Sequence, residues 1–188
     1  MVSTTASLPP EPAALRQHVF ELLEQIPDPE IPVVSIRELG ILRDVLLDGE
    51  TVEVVITPTY SGCPAMQAIE EDVLAALRAA GITQARVRTV LSPAWSTDWI
   101  TPEAREKLRS YGIAPPAPRS AEENRSGGVK VEFFRPQQID FGRQSAPPAC
   151  PQCGSRHTEL LSQFGSTSCK ALYRCLDCRE PFDYFKPY

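Results

Sequence analysis

Four cysteines near the C-terminal end of the chain form the pattern with the clearest chemistry. Cys150-x2-Cys153 is followed, after 21 residues, by Cys175-x2-Cys178. Each Cys-x2-Cys turn presents two thiolates to one cation, and two such turns complete a tetrahedral site. The spacing resembles that of a zinc ribbon, although a cluster of iron and sulfide takes the same ligands. Because a closed shell of four thiolates leaves no open position, zinc at this site is predicted to be structural.

Two other interpretations of this site are weaker. Disulfide pairing is disfavoured in a reducing compartment. His157 can replace one thiolate, but four cysteines already suffice, so we interpret His157 as a solvated loop residue. The chain has only two histidines, His18 and His157. With so few histidines, a Ser-His-Asp triad or a histidine-rich metal site is nearly excluded.

Cys63 is a second candidate for chemistry, in the loop TPTYSGCPA. Pro64 fits the first position of a following helix, which puts Cys63 at or near the N-cap. Free backbone N–H groups and the positive end of the helix dipole lower the pKa of a thiol there. Cys63 is therefore a candidate for a reactive or metal-binding thiolate. The alternative is a passive capping residue on a buried loop.

Three further residues are weaker candidates. Cys169 lies in FGSTSCKALYRC, where Lys170 can favour its thiolate, or where Cys169 is simply a small buried hydrophobe. Asp28 and Glu30 lie in a proline-stiffened turn and can bind a hard cation or orient a partner. From the residues alone, the better interpretation of these two carboxylates is a solvated acidic turn.

The elements that must position these residues follow from hydrophobic periodicity and turn signals. Asp48-Gly49 predicts a hairpin, and prolines at 27 and 29 are expected to end the first helix and to begin an extended stretch. The order is α-β-β-α-β, which predicts an α+β fold, a small sandwich. The predicted elements are a helix at 13–26, strands at 41–47 and 51–56, a helix at 66–80 and a strand at 85–91.

The second half of the chain predicts a short helix and then a separate cysteine-rich unit. A helix is predicted at 101–112, with Thr101 as its N-cap and Pro102 at its first position. Gly112 is expected to end it. The aromatic residues of the C-terminal unit are interpreted as its small core. The predicted organisation is a flexible tail at 1–12, an α+β domain at 13–113, a Pro/Gly-rich linker at 114–128, and a short strand at 129–134 with the zinc ribbon within 129–188.

Composition excludes several classes of protein. The net charge of −5 disfavours wholesale binding to nucleic acid or to anionic membranes, although the basic, aromatic C-terminal unit keeps a nucleic-acid-binding ribbon as a weaker hypothesis. No apolar run approaches the roughly 20 residues of a membrane span. The N-terminus has no basic start and no apolar stretch, so we expect no signal peptide and a cytoplasmic location.

Two segments carry a family resemblance. The helix, DPEIPVVSIRELGIL, the hairpin and TPTYSGCPA together resemble the small iron–sulfur assembly domain family, once called a domain of unknown function, over roughly residues 13–92. With AWSTDWITPEAREKLRSYGIAPP and the four-cysteine ribbon added, nearly the whole chain resembles the PaaD-type D subunits of bacterial phenylacetyl-CoA (ring 1,2-) epoxidase systems.

The resemblance implies an accessory role in phenylacetate degradation. It assigns the family turn to Asp28, Pro29 and Glu30 and the family loop to Thr57, Cys63 and Pro64. In such systems an oxygenase carries a dinuclear iron site and a reductase carries a flavin and a ferredoxin-type cluster. The PaaD-type component is then a maturation factor that is not itself a catalyst. It assists the assembly of an iron–sulfur cluster, or of iron, in these partner subunits.

The residues agree with a carrier. One thiolate cannot hold a cluster alone, because clusters take four ligands. Cys63 is therefore expected to hold a cluster transiently, at a subunit interface or together with Cys169 or a partner's cysteine. Two alternatives stay open, which are a non-catalytic docking or regulatory zinc-ribbon subunit and a thiol enzyme that uses Cys63 as its nucleophile.

Overall fold

The computed structural model describes residues 12–49, 51–116 and 147–187, and the chain divides into two compact units, Met1–Trp95 and Ser96–Tyr188. The predicted strand at 129–134 and most of the predicted tail and linker lie outside the described residues. The division falls earlier than the predicted domain boundary at 113. No helix in the described ranges has the length and apolar character needed to cross a membrane.

The first unit has the predicted α-β-β-α-β order. Strand β2 is the middle strand of its sheet, antiparallel to β1 and parallel to β3. The parallel pairing follows from the helix that connects β2 to β3. The elements are α1 (Pro12–Leu23), β1 (Leu42–Asp48), β2 (Thr51–Ile56), α2 (Ala65–Ala79) and β3 (Ala85–Thr89).

The core of this unit lies between the two helices and one face of the sheet. Helix α2 buries an apolar stripe with helical spacing, and alternate residues of β2 lie on the same face. The indole N–H of Trp95 donates to the carbonyl of Leu39 at 2.9 Å and holds the end of the unit to the loop before β1. The core residues include Val19, Leu23, Val52, Val54, Ile56, Ile69, Val73 and Leu77.

Two local predictions in this unit are wrong. Helix α1 ends at Leu23, three residues before its predicted end. The stretch that follows is not extended but folds into successive turns, and the N–H of Asp28 donates to the carbonyl of Val34 at 2.9 Å. The predicted β1–β2 hairpin is present, with Asp48 paired to Thr51 and with Gly49 at the left-handed φ of +60°.

The second unit contains a helix and a four-stranded sheet. Thr101 Oγ1 accepts from the N–H of Ala104 at 3.1 Å and Pro102 begins the helix, as predicted. The sheet order is β4-β7-β6-β5, and β4 runs parallel to β7 whereas the other pairs are antiparallel. The elements are α3 (Pro102–Ser110), β4 (Ile113–Ala114), β5 (Thr158–Ser162), β6 (Lys170–Cys175) and β7 (Pro181–Phe185).

Aromatic side chains fill much of the ribbon core. Phe182, Tyr184 and Phe185 are buried, and the ring of Tyr173 stacks on Phe182 with centroids 6.0 Å apart. Phe164 is the exception, because it is 64% exposed. The prediction that the aromatic residues of this unit form its core is therefore wrong for Phe164.

Candidate metal centre and thiol site

The four cysteines of the ribbon converge on one point. Their sulfur atoms all lie within 4.8 Å of one another. The Sγ atoms of Cys150 and Cys178 are 3.7 Å apart and those of Cys153 and Cys175 are 3.5 Å apart. These distances are far from the roughly 2.05 Å of a disulfide and close to the ~3.8 Å edge of a tetrahedron built with Zn–S bonds of about 2.3 Å. The donor set fits a tetrahedral metal ion.

Each Cys-x2-Cys turn is shaped by backbone hydrogen bonds and one left-handed residue. In the first turn, the N–H of Gly154 donates to the carbonyl of Cys150 at 2.8 Å, and Gly154 has φ +76°. In the second turn, the N–H of Cys178 points at Sγ of Cys175 at 3.5 Å, and Arg179 takes the equivalent left-handed position with φ +70°. The left-handed residue turns the chain away after it has delivered the second sulfur.

The thiols differ in their tendency to ionise. The backbone N–H of Cys178 lowers the pKa of Cys175 to about 7, helped by the N–H of Asp177 and opposed by burial. The N–H of Glu180 has a lowering effect on Cys178, but burial and the neighbouring thiols outweigh it and raise the pKa of Cys178 to about 12. Four thiolates therefore do not accumulate together without a cation, and binding a divalent metal ion releases protons.

A polar network joins the two Cys-x2-Cys turns outside the sulfur cluster. Ser155 Oγ donates to Asp177 Oδ2 at 2.5 Å, and Asp177 Oδ1 lies 3.0 Å from Nδ1 of the exposed His157. The hydroxyl of Ser155 first, and then His157, lower the pKa of Asp177. His157 is not among the clustered metal-binding groups of the described residues, in agreement with its interpretation as a surface residue. Ser155 and Asp177 were not predicted from the sequence.

Cys63 lies half-buried immediately before Pro64, the residue that caps helix α2. Burial raises the pKa of Cys63, and although the N–H of Ala65 opposes this change, Glu30 and Asp28 add to it. The prediction of a lowered pKa is therefore wrong. The helix terminus acts in the predicted direction, but desolvation and two carboxylates from an earlier loop are stronger.

The two carboxylates near Cys63 have different environments. Asp28 is only 5% exposed, and its Oδ1 accepts from the N–H groups of Glu30 at 2.9 Å and Ile31 at 2.8 Å. Asp28 is therefore a buried loop-forming residue, and the interpretation as a solvated turn is wrong for it. Glu30 is partly exposed and contributes its charge to the surroundings of Cys63.

Threonines complete the surroundings of the Cys63 loop. Thr57 is 1% exposed, and its N–H donates to the carbonyl of Ile41 at 2.9 Å, so it fixes the end of β2. Thr59 is also buried, and its side chain hydrogen-bonds with Cys63. This hydrogen bond opposes the rise in the pKa of Cys63 but does not outweigh it. Thr59 was not predicted from the sequence, because nothing in a turn-rich loop distinguishes one hydroxyl from another.

Cys169 belongs to the other unit. Cys169 is 4% exposed, and its Sγ lies 3.0 Å from Oγ1 of Thr167. Lys170 is equally buried and directs its ammonium group to Asp183 Oδ2 at 3.7 Å. The charge of Lys170 is thus paired with a carboxylate, and its burial beside Cys169 gives no support to an activated Cys169.

Two family descriptions match separate parts of the chain. Residues 16–91 match the family described as iron–sulfur cluster assembly protein. Residues 135–186 match the PaaD zinc beta ribbon domain. The first range contains Cys63 and the acidic loop, and the second contains all four clustered cysteines.

Several known proteins are similar to this chain. A protein of Escherichia coli (strain K12), described as the putative D subunit of 1,2-phenylacetyl-CoA epoxidase, is 48% identical over 89% of this chain and 90% of its own length. The Fe-S protein maturation auxiliary factor YitW of Bacillus subtilis (strain 168) is 32% identical over 50% of this chain and 94% of its own. A crystal structure of a DUF59 domain from Bacillus anthracis has a TM-score of 0.48 at 29% identity, over 51% of this chain and 92% of that one.

Proposed function

Because the chain belongs to the PaaD-type family of 1,2-phenylacetyl-CoA epoxidase components, we propose that it is the maturation factor of its epoxidase system. Its cargo is an iron–sulfur cluster or iron, and the receiving protein is the ferredoxin-type reductase of the system. The relative named as an Fe-S protein maturation auxiliary factor supports this role for the first unit.

The observation that carries the proposal is the isolation of Cys63. It is the only cysteine in residues 1–95, and it lies half-buried beside Glu30 and Asp28. A cluster takes four protein ligands, so this unit supplies an incomplete set. Cys63 loses its proton when it binds iron and regains one when a cysteine of the receiving protein replaces it. The raised pKa favours that release.

The ribbon has a different task in this proposal. Its four sulfur atoms form a closed metal-binding group of the zinc-ribbon family, which leaves no position for cargo. Zinc therefore stabilises the ribbon, and the ribbon serves as the docking module. The thiol-enzyme alternative is weaker, because burial and two carboxylates raise the pKa of Cys63 and leave it mostly protonated near pH 7.

The test is to produce the reductase with the wild-type chain, with Cys63→Ser, or without this chain, and to measure iron and sulfide per purified reductase. We expect a full complement with the wild type and a deficit in the other two cases. Ser61→Ala, an exposed residue of the same loop, is the matched control and is expected to behave as wild type. A Cys169→Ser variant shows whether Cys169 acts together with Cys63.

Two outcomes contradict the proposal. A reductase that is fully loaded and turns over normally without this chain excludes a role in maturation. A deficit that Cys63→Ser does not reproduce, with zinc still present in the variant, leaves a scaffold or docking component that carries no cargo.

A further inference from the structure

Within the described residues, strand β5 is an edge strand of the ribbon sheet. In the part of the chain that the structure describes, β5 pairs with β6 and with no other strand. The carbonyl of His157 accepts from the N–H of Leu176, which fixes the alternation of the ladder. By that alternation, the C=O of Thr158 and the N–H and C=O of Leu160 point away from β6, where another strand can bind them. The N–H of Thr158 donates instead to the carbonyl of Arg156 at 2.9 Å.

The same edge exposes apolar side chains. Leu160 and Leu161 are each 47% exposed and Phe164 is 64% exposed. The register shifts between Leu160 and Ser162, so Leu161 is the extra residue of a β-bulge. Of the six large hydrophobic residues exposed in the described ranges, three lie in this five-residue stretch. Clustered exposure of this kind marks an interaction surface.

In the described residues, the other sheet edges are protected by charge or by short length, whereas β5 is protected only by its bulge at Leu161. Arg16 Nε donates to the carbonyl of Val45 on β1 at 2.9 Å. Strand β3 carries Arg86 and Arg88, and β4 has only two residues. Short length and charged side chains are the usual protection of an edge against pairing with another chain. The apolar residues of β5 give no such protection.

Cations flank the apolar surface. Nζ of Lys186 lies 4.6 Å from the ring centroid of Phe164, and Arg156 precedes the other end of β5. Within the described residues, neither cation forms an ion pair with a carboxylate, whereas Arg174 on β6 pairs with Glu159. A second copy of the chain, added antiparallel, would bring Lys186 of one copy to Arg156 of the other, and these like charges repel.

We propose that the β5 edge, defined as Thr158–Ser162 together with Phe164, binds an extended, apolar segment with flanking carboxylates from another subunit of the epoxidase system. The segment adds as a strand, its backbone pairs with Leu160, and its apolar side chains cover Leu161 and Phe164. Its carboxylates meet Lys186 and Arg156. The proposal rests on the docking role proposed above for the ribbon and gives that role a binding surface.

The first experiment measures binding of full-length, zinc-loaded protein to the purified reductase and, separately, to the purified oxygenase. Leu161→Asp is expected to weaken binding to the true partner about tenfold or more. Leu91→Asp is the matched control, because Leu91 is a 61% exposed leucine in the other unit, and it is expected to bind as wild type. Lys186→Glu is expected to weaken binding and to reduce its dependence on salt.

A second experiment separates backbone pairing from side-chain contact. Leu160→Pro removes an N–H that points away from β6, so it spares the ribbon's own ladder. We expect Leu160→Pro to weaken binding more than Leu160→Ala, with zinc content unchanged in both variants. Hydrogen exchange at the amide of Leu160 is expected to slow when the partner binds.

Three results overturn the proposal. Equal affinities of Leu161→Asp and Leu91→Asp place the partner elsewhere. If the wild type is a dimer and Leu161→Asp converts it to a monomer, the occupant of the β5 edge is a second copy of the chain. If the wild type binds single-stranded nucleic acid and Lys186→Glu abolishes this binding, the occupant is nucleic acid. Cys63→Ser is expected to bind the partner normally, which distinguishes the β5 edge from the cargo site. If Cys63→Ser loses cargo transfer but keeps binding, the result tests the maturation role and not the β5 edge.

Discussion

The ammonium group of Lys170, on a side chain only 5% exposed, lies 3.7 Å from Oδ2 of Asp183 on the neighbouring strand. The same Oδ2 accepts a hydrogen bond from Ser166 at 2.9 Å. Gly165 approaches so closely that a Cβ there would lie 2.5 Å from Oδ1 of Asp183. One carboxylate therefore organises the loop between β5 and β6 through its contacts with Gly165, Ser166 and Lys170.

The first prediction concerns this pair. Asp183→Asn is expected to destabilise the zinc-loaded protein by about 3 kcal/mol, because it leaves a buried ammonium without a carboxylate. Lys170→Met is expected to cost less, since Asp183 is 21% exposed and keeps Ser166 as a donor. Urea unfolding at neutral pH measures both changes. Equal losses in the two variants, or no recovery in the double variant, would contradict this account.

The second prediction is a pH dependence in the first unit. Hydrogen bonds from Arg88, and then from Arg86, hold the pKa of Glu53 below its ordinary value of 4.5. A lowered pKa in the folded state gives stability that is present above about pH 4.5 and is lost as the pH falls through the folded value. Glu53→Gln is therefore expected to be less stable than wild type at pH 7, with the difference shrinking below about pH 4.

Fluorescence of Trp95 measures this difference in a Trp99→Phe background, because Trp95 is buried in the first unit. Glu70→Gln, an exposed carboxylate on α2, is the control and is expected to show no such pH dependence. A constant difference between Glu53→Gln and wild type from about pH 7 to about pH 3 would refute the proposed role of the ion pairs.

The third prediction concerns the reactivity of Cys63. Since only the thiolate reacts with iodoacetamide and its pKa is raised, alkylation is expected to be slow at about pH 7.5 and to increase above about pH 9. Glu30→Gln removes a negative charge and is expected to speed alkylation at the lower pH. Mass spectrometry of the zinc-loaded protein follows Cys63 selectively. Glu21→Gln, on helix α1, is the control, and an identical rate for both variants would show that Glu30 has no influence.

The fourth prediction separates the five cysteines of the second unit. Cys175→Ser is expected to lose bound zinc to a chelator far faster than wild type and to lose the near-ultraviolet circular dichroism of the ribbon aromatics. Cys169→Ser is expected to retain zinc, because Cys169 is not among the four convergent sulfur atoms. Colorimetric zinc release measures both variants, and equal release from the two would contradict the four-sulfur site.

Features encoded by neighbouring residues were predictable from the sequence. The spacing of the four cysteines predicted their convergence, and Thr101 with Pro102 predicted the start of α3. The α-β-β-α-β order followed from hydrophobic periodicity, since one apolar face on α2 and alternate residues of β2 are local patterns. Such local patterns predict the folded structure correctly because they depend on few distant contacts.

Features that depend on distant residues were not predictable. The pKa of Cys63 rises partly because Asp28 and Glu30, more than 30 residues earlier, pack near it. Lys170 is a charged residue that any sequence pattern places in solvent, yet Asp183 allows its burial. The bulge at Leu161 likewise depends on the pairing register of β5 with β6, which no local sequence pattern predicts.

The parallel pairing of β4 with β7 has a consequence for cutting the chain. Ile113 and Ala114 precede the 30 residues between the second and third described ranges, but they form part of the ribbon sheet that follows those residues. Protease cleavage anywhere in 117–146 would therefore yield two fragments that stay associated through β4 and β7. A ribbon grafted onto another protein must include residues 97–116, since the cysteine segment by itself would leave β7 unpaired along one side.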